Sequence, residues 1–128
     1  MENALMSPSA ENYLETIYEL SVTTSSDIRM TDIALKMNVS KASVARALGT
    51  LKDRGYVEQH KYATLHLTER GIERAKEIRM RHNLLKRFLT ELLGIDDETA
   101  DRDACRMEHM VSPLTVEKLD QYIKRVLP

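Results

Sequence analysis

Tryptophan is absent from the sequence, and phenylalanine and cysteine occur once each, as Phe88 and Cys105. A single cysteine cannot form an intrachain disulfide, which excludes the disulfide-stabilised secreted domains. With so few aromatic rings, the core has to be aliphatic, and the seven methionines are suited to filling its irregular gaps. The composition therefore predicts a globular protein of a reducing compartment.

Long apolar runs are missing as well. No stretch approaches the roughly 18 to 20 residues that a membrane span needs. Residues 1–10 have neither the basic nor the apolar segment of a secretory signal. We therefore expect a cytoplasmic protein without a membrane partner.

The chain as a whole has no large excess of charge, because 19 Lys and Arg face 20 Asp and Glu. This balance excludes a uniformly basic protein that coats nucleic acid. The charge is nevertheless uneven: residues 26–66 carry seven basic and four acidic residues, whereas residues 95–128 carry five and eight. The basic segment favours contact with phosphates in the first half of the chain.

Residues 31–67 have the pattern of a winged helix-turn-helix. Apolar residues at helical spacing predict a short helix capped by Thr31 and, after a turn at residues 38–40, a second helix that ends at Gly55. Alternation of apolar and polar residues over 56–67 then predicts a β-hairpin. In proteins of this kind the second helix enters the major groove of DNA.

Helical spacing turns Val44 and Leu48 of this second helix inward, which leaves its N-terminal part facing outward. There Arg46 is suited to a bidentate contact with a guanine edge. Gly49, inside the same helix, predicts a close approach of another segment. Each basic residue alone is more typical of a solvated helix face, and it is the ordered combination that favours DNA binding. The candidate DNA-binding residues are Ser40, Lys41, Ala42, Ser43 and Arg46, with Lys61 and Tyr62 at the hairpin tip.

Further helices are predicted on both sides of this motif. Ser7-Pro8 opens the first helix of the chain, and Thr68 caps a long helix that ends at Gly94. Acidic residues 96–98 begin the next helix, and Ser112-Pro113 opens the last one. The second half of the chain is therefore predicted to be helical.

Cys105, Glu108 and His109 are spaced i, i+3 and i+4, so a helix places a thiolate, a carboxylate and an imidazole on one face. These groups are ordinary ligands of divalent first-row metals. Alone the pattern is weak, because a single cysteine is usually a core residue. His60 and His66 lie on the predicted hairpin and are expected to face solvent. With polar residues of the first helix and the long helix added, the candidate ligands are Asn12, Glu15, His82, Cys105, Glu108 and His109.

Five segments carry a family resemblance: ENYLETIY at 11–18, SKASV at 40–44, LHLTERG at 65–71, RHNLL at 81–85 and ACRMEH at 104–109. Together they resemble the metal-responsive repressors of the diphtheria toxin repressor and manganese transport regulator family. The resemblance implies a homodimer that binds Mn(II) or Fe(II) and then represses genes of metal uptake or homeostasis. Because the sequence ends at Pro128, it is similar to the short form without an SH3-like domain.

The resemblance also implies roles for the candidate ligands. Cys105, Glu108 and His109 match ligands of the family. His82 and Glu15 match ligands of a second, adjacent site in the manganese-type members.

Other positions match a family role or depart from the family pattern. Arg46 falls where the family places a base-contacting residue. Asn12 stands where manganese-type members have Asp and iron-type members have Met. Lys86 and Asp101 replace a Glu and a His of the ancillary site in iron-type members, and Asp101 remains a chemically plausible ligand.

The sequence thus predicts a mainly α fold, with a winged helix-turn-helix DNA-binding domain over residues 1–74 and a helical dimerisation and metal-binding domain over residues 75–128. The aliphatic content of residues 85–93 and of the last helix exceeds what one short chain buries, so we expect a symmetric dimer. The predicted function is metal-dependent repression at double-stranded operator DNA, and not an enzymatic one.

Two other classes of function stay open at this level. One is a metal-independent winged-helix regulator that senses oxidants through Cys105, whose reactive thiolate Arg102 and Arg106 would favour. The other is a small metallohydrolase with Glu108 or Glu15 as the base, although the sequence contains no Gly-rich loop.

Overall fold

A computed structural model describes residues 6–24, 27–60 and 64–127 of the chain. The predicted DNA contacts Lys61 and Tyr62 lie outside these residues. The chain divides into two units, Met1–Lys76 and Glu77–Pro128. Among the residues described, no helix is both long and apolar enough to cross a membrane. The helices are α1 Pro8–Thr23, α2 Met30–Met37, α3 Lys41–Asp53, α4 Glu69–Arg87, α5 Asp97–Met107 and α6 Pro113–Val126, and the strands are β1 Ile28–Arg29, β2 Val57–Gln59 and β3 Thr64–Leu67.

The helices of the first unit begin at polar caps. The Ser7 hydroxyl accepts a hydrogen bond from the amide of Ala10 at 3.1 Å, and the Ser40 hydroxyl caps α3 in the same way. The predicted Thr31 cap is wrong, because α2 already begins at Met30. Instead the Asp32 carboxylate accepts from the backbone amide of Arg29 at 2.9 Å.

The small sheet has three strands, in the antiparallel order β1-β3-β2. The predicted hairpin supplies β2 and β3, with Val57 paired to Leu67. Strand β1 was missed, because its two residues are too few to show an alternating pattern. Its pairing of Ile28 with Leu65 places the strand beside the wing hairpin. The sheet and α1 to α3 together form a winged helix-turn-helix, as predicted.

The core of the first unit is aliphatic, as the composition indicated. Ile17, Ile33, Leu51 and Leu65 are fully buried. Sequence patterns did not identify a buried ion pair between Glu11 and Arg74, on α1 and α4. Breaking such a pair by removing one partner leaves an uncompensated buried charge, at a cost of about 3–5 kcal/mol.

The second unit is helical. The regular helix α4 ends at Arg87, earlier than predicted, and a wider π-helical turn, Phe88–Leu92, follows it. Gly94 has a φ of 71°, which suits a glycine after a helix end. The starts of the next two helices agree with the prediction, and so does the cap at Ser112, which accepts from the amide of Thr115 at 3.2 Å. The structure adds a cap at Asp96, whose carboxylate accepts from the amide of Thr99 at 2.9 Å.

The start of α4 is fastened to the segment that follows α3. The Thr68 hydroxyl donates to the carbonyl of Gly55 at 2.6 Å and accepts from the amide of Gly71 at 3.1 Å. Consequently Gly71 lies against the backbone of Tyr56, where an added Cβ would be 2.1 Å from the carbonyl oxygen. No atom lies within 4 Å of a Cβ added at Gly49, so the predicted close approach there is wrong.

We expect Gly71→Ala to lower the free energy of unfolding by about 1–3 kcal/mol, because a backbone carbonyl cannot move aside for the new methyl group. Gly49→Ala is the matched control and should raise it by about 1 kcal/mol, through helix propensity alone. Urea denaturation of the two variants and the wild type measures both changes. Equal stability of the two variants would contradict the close packing at Gly71.

Candidate metal centre and DNA-binding surface

Four of the predicted ligands lie in the second unit. His82 is on α4, Cys105 is on α5, Glu108 is the residue at which α5 ends, and His109 follows it. One ligand atom each from His82, Cys105 and Glu108 lies within 4.8 Å of the other two. The i, i+3 spacing of Cys105 and Glu108 places their groups together at the end of α5, and α4 adds the imidazole of His82. His109 lies beyond the helix, so the predicted common helix face does not extend to it.

Glu108 is a carboxylate with no exposed surface. In the part of the chain that the structure describes, neither of its oxygens has a partner in hydrogen-bond geometry. Two imidazole nitrogens approach it instead: Nδ1 of His82 lies 3.2 Å from Oε2, and Nε2 of His109 lies 3.3 Å from Oε1. A buried carboxylate without donors is costly, and a cation held beside it removes that cost.

The second nitrogen of His82 has a different partner. Nε2 lies 3.0 Å from Oδ1 of Asp101, and because a carboxylate only accepts, this ring nitrogen carries the proton. The ring then presents Nδ1 to Glu108. A carboxylate behind a histidine in this manner fixes the tautomer of metal-binding histidines.

These carboxylates set the protonation of the cluster. Glu108 raises the pKa of His82 above its ordinary value, Asp101 adds to this effect, and burial opposes it. The His82 ring in turn lowers the pKa of Asp101. Both carboxylates therefore favour the charged form of the His82 ring.

Lys86 completes the surroundings of Asp101. Its ammonium lies 3.3 Å from Oδ1 of Asp97 and 3.5 Å from Oδ1 of Asp101, and Asp97 raises the pKa of Lys86. According to the resemblance, Lys86 and Asp101 stand where iron-type members have the Glu and the His of their ancillary site. In this chain the two residues form an ion pair. A permanent positive charge there opposes binding of a second cation.

The other two predicted ligands lie on α1 in the first unit. Asn12 is exposed, whereas Glu15 is buried. Their participation in metal binding stays a prediction.

The predicted DNA-reading helix has the expected polarity. Val44 and Leu48 of α3 are buried, while Lys41, Ala42 and Arg46 are exposed and Ser43 is half-buried. Ser40 is engaged at the start of the helix, where its hydroxyl accepts from the amide of Ser43. The N-terminal half of α3 is thus an open surface with two basic side chains.

A shallow groove of about 290 Å³ adjoins this surface, between the start of α1 and α3. Among the described residues that line it, Arg46 is the one with a charged side chain, and three serines and one threonine also line the groove. Hydroxyl and guanidinium groups are ordinary donors to phosphate oxygens. The aliphatic hydroxyl groups belong to Ser7, Ser9, Ser43 and Thr50, and the other described lining residues are Ala10, Tyr13 and Ala47.

Comparison with protein families matches both halves of the chain. The model described as "Iron dependent repressor, N-terminal DNA binding domain" matches residues 5–65. The model described as "Iron dependent repressor, metal binding and dimerisation domain" matches residues 68–126.

Individual proteins give the same result. An uncharacterised HTH-type transcriptional regulator of Methanocaldococcus jannaschii is 38% identical over 120 residues, covering 94% of this chain and 96% of that protein. The regulator MntR of Lysinibacillus sphaericus is 32% identical over 117 residues, covering 91% and 83%. The structure of the manganese regulator SloR superposes with a TM-score of 0.78 at 34% identity, covering 93% of this chain and 55% of that one. The chain thus spans about half the length of that solved structure.

The fold, the buried carboxylate–imidazole cluster and the matches over both halves agree with one another. This chain belongs to the iron-dependent repressor family, whose members are metal-dependent, DNA-binding transcriptional regulators and not enzymes.

Proposed function

We propose that this chain represses transcription by binding double-stranded operator DNA when its metal centre holds Mn(II) or Fe(II), and that it thereby controls genes of metal uptake or homeostasis. The observation that carries the proposal is the fully buried Glu108 carboxylate. Two imidazole nitrogens approach it, and none of the described residues offers it a hydrogen-bond donor in proper geometry. We place the protein in the cytoplasm, where operator DNA is accessible.

The residues present fit a divalent ion. We assign His82, Cys105, Glu108 and His109 as its ligands in the second unit, and we keep Asn12 and Glu15 of α1 as proposed ligands from the family resemblance. A bound ion supplies the positive charge that the buried carboxylate lacks. Asp101 is then a positioning residue and not a ligand, because it is engaged at Nε2 of His82.

The two units have separate proposed tasks. Residues 1–74 bind DNA through α3, with Arg46 as the base-reading residue and Lys41 as a phosphate contact. Residues 75–128 hold the metal and form the dimer. If metal and DNA favour the same conformation, each strengthens binding of the other by the same factor.

Exposed apolar side chains in the second unit support the dimer. Met80, Met110 and Leu114 are 73%, 76% and 62% exposed in the single chain, and Leu93 is 55% exposed. Large apolar patches mark protein–protein interaction sites, and we assign these four side chains to the dimer interface. A symmetric homodimer presents two copies of α3, which suits an operator with two half-sites.

Glu108→Gln should abolish the response to metal. With Mn(II), we expect the wild type to gain thermal stability and operator affinity, and the variant to gain neither, because a neutral amide does not attract the cation. Its metal-free melting temperature should equal or exceed that of the wild type. Glu98→Gln, at an exposed acid of the same helix, is the control and should respond like the wild type. Wild-type metal stimulation of DNA binding in Glu108→Gln would refute the metal switch.

Cys105→Glu should shift the metal preference toward Mn(II), since it replaces a soft thiolate with a hard carboxylate. The measurement is the concentration of Mn(II) or Fe(II) that gives half-maximal operator binding under anaerobic conditions. Unchanged concentrations for both metals would show that Cys105 does not ligate the ion.

The exposure of Cys105 also favours a second candidate function, an oxidant sensor that works without metal. In that case a chelator would leave operator binding unchanged. Peroxide would weaken operator binding by the wild type and not by Cys105→Ser. If a chelator abolishes operator binding by the wild type and by Cys105→Ser alike, the result favours the metal-dependent repressor over the oxidant sensor.

Arg46→Ala should lose discrimination at one base pair of the operator, by about 1–3 kcal/mol, because the bidentate contact to that base is removed. Lys41→Ala is the contrasting variant and should weaken specific and random DNA similarly, with a shallower dependence on salt. Gel-shift titrations with operator, single-base variants and random DNA separate the two effects. A uniform loss in Arg46→Ala would show that Arg46 contacts only the backbone.

A further inference from the structure

The wing carries a second group of potential metal ligands, distinct from the centre in the second unit. Glu58 on β2 pairs directly with His66 on β3 in the antiparallel register. His60 follows Glu58 by two residues, and its backbone amide donates to the carbonyl of Thr64 at 2.7 Å, so the strand pairing continues to this position. Because side chains two residues apart share a face of a strand, Glu58, His60 and His66 lie on one face of the hairpin.

The two imidazoles are arranged with converging nitrogens. Nε2 of His60 contacts Nδ1 of His66, with the ring centroids 4.4 Å apart and the ring planes inclined by 16°. In a metal-free chain one proton has to lie between these nitrogens, because two facing lone pairs repel each other. A metal ion that accepts both lone pairs replaces that proton.

Glu58 selects the nitrogen that His66 offers. Its Oε2 lies 3.4 Å from Nε2 of His66, on the other side of the ring from His60. A carboxylate there stabilises the proton on Nε2 and leaves the lone pair on Nδ1, which faces His60. Carboxylate, histidine and metal occur in this order in many metal sites, where the carboxylate orients the ligating ring.

The site is open to solvent, since the side chains of His66 and Glu58 are 42% and 63% exposed. Water can therefore fill the remaining coordination positions of an ion. Two imidazoles without a carboxylate ligand favour Zn(II), Ni(II) or Cu(II) over Mn(II), which prefers oxygen ligands.

We propose that His60 and His66 form a peripheral divalent-metal site on the wing, selective for imidazole-preferring ions, with Glu58 as its positioning residue. An ion bound there adds positive charge to the hairpin of the same unit that carries α3. The site stands independently of the metal switch proposed above, because it shares no residue with it.

Calorimetric titration of Ni(II) into the full chain tests the site, in a Glu108→Gln/Cys105→Ser background that disables the other centre. We expect one ion per chain on the wing. His60→Gln and His66→Gln should each weaken its binding at least tenfold, since one imidazole alone does not chelate. Gln59→Ala, at an exposed neighbour on β2, is the control and should bind like the background protein. Equal Ni(II) binding in the histidine variants and the control overturns the site.

Nitrogen-15 spectra of the histidine rings test the role of Glu58 and do not depend on affinity. In the metal-free chain, His66 should carry its proton on Nε2, and Zn(II) should shift Nδ1 of His66 and Nε2 of His60 together. Glu58→Gln should redistribute the proton of His66 and weaken Ni(II) binding about 10-fold to 100-fold. An unchanged tautomer in Glu58→Gln overturns the positioning role, and Zn(II) shifts confined to His82 and His109 overturn the site.

Discussion

A carboxylate buried without a hydrogen-bond donor in proper geometry is the constraint on which the chemistry of the second unit depends. Glu108 stands at the end of α5 with no exposed surface, and imidazole nitrogens of His82 and His109 approach its oxygens. Glu108 in turn raises the pKa of His82. A divalent ion at this position would supply the positive charge that the buried carboxylate lacks.

The two groups of ligands differ in ways that separate their chemistry. The proposed centre around Glu108 combines the buried side chains of His82 and Glu108 with the exposed thiol of Cys105. The ion pair of Lys86 and Asp101 lies on the other side of the His82 ring. The wing pair is exposed and offers two imidazoles. Its carboxylate, Glu58, lies at Nε2 of His66, whereas Nδ1 of that ring faces His60. A carboxylate ligand favours hard ions at the first proposed site, whereas an imidazole pair favours borderline ions at the second. The two proposals together would let one chain distinguish classes of metal by position.

Sequence patterns were accurate where the deciding interactions are local. Each of four helices begins at a residue whose side chain accepts a hydrogen bond from the amide three residues on: Ser7, Ser40, Asp96 and Ser112. A few neighbouring residues therefore suffice to predict where such a helix begins. They were wrong where a distant segment decides. Gly49 has open space around it, while Gly71 is the residue pressed against the backbone of Tyr56. Likewise β1 exists only because β3 pairs with it.

The same division holds for function. The sequence by itself determined the winged helix-turn-helix, the open basic face of α3, and the common helix face of Cys105 and Glu108, because helical and strand periodicity fix which neighbours share a face. Only the tertiary structure decided that Glu108 is fully buried, that Asp101 is engaged behind His82, and that His60 meets His66. These facts depend on contacts between separate elements, and packing, not local periodicity, sets the register and depth of such contacts.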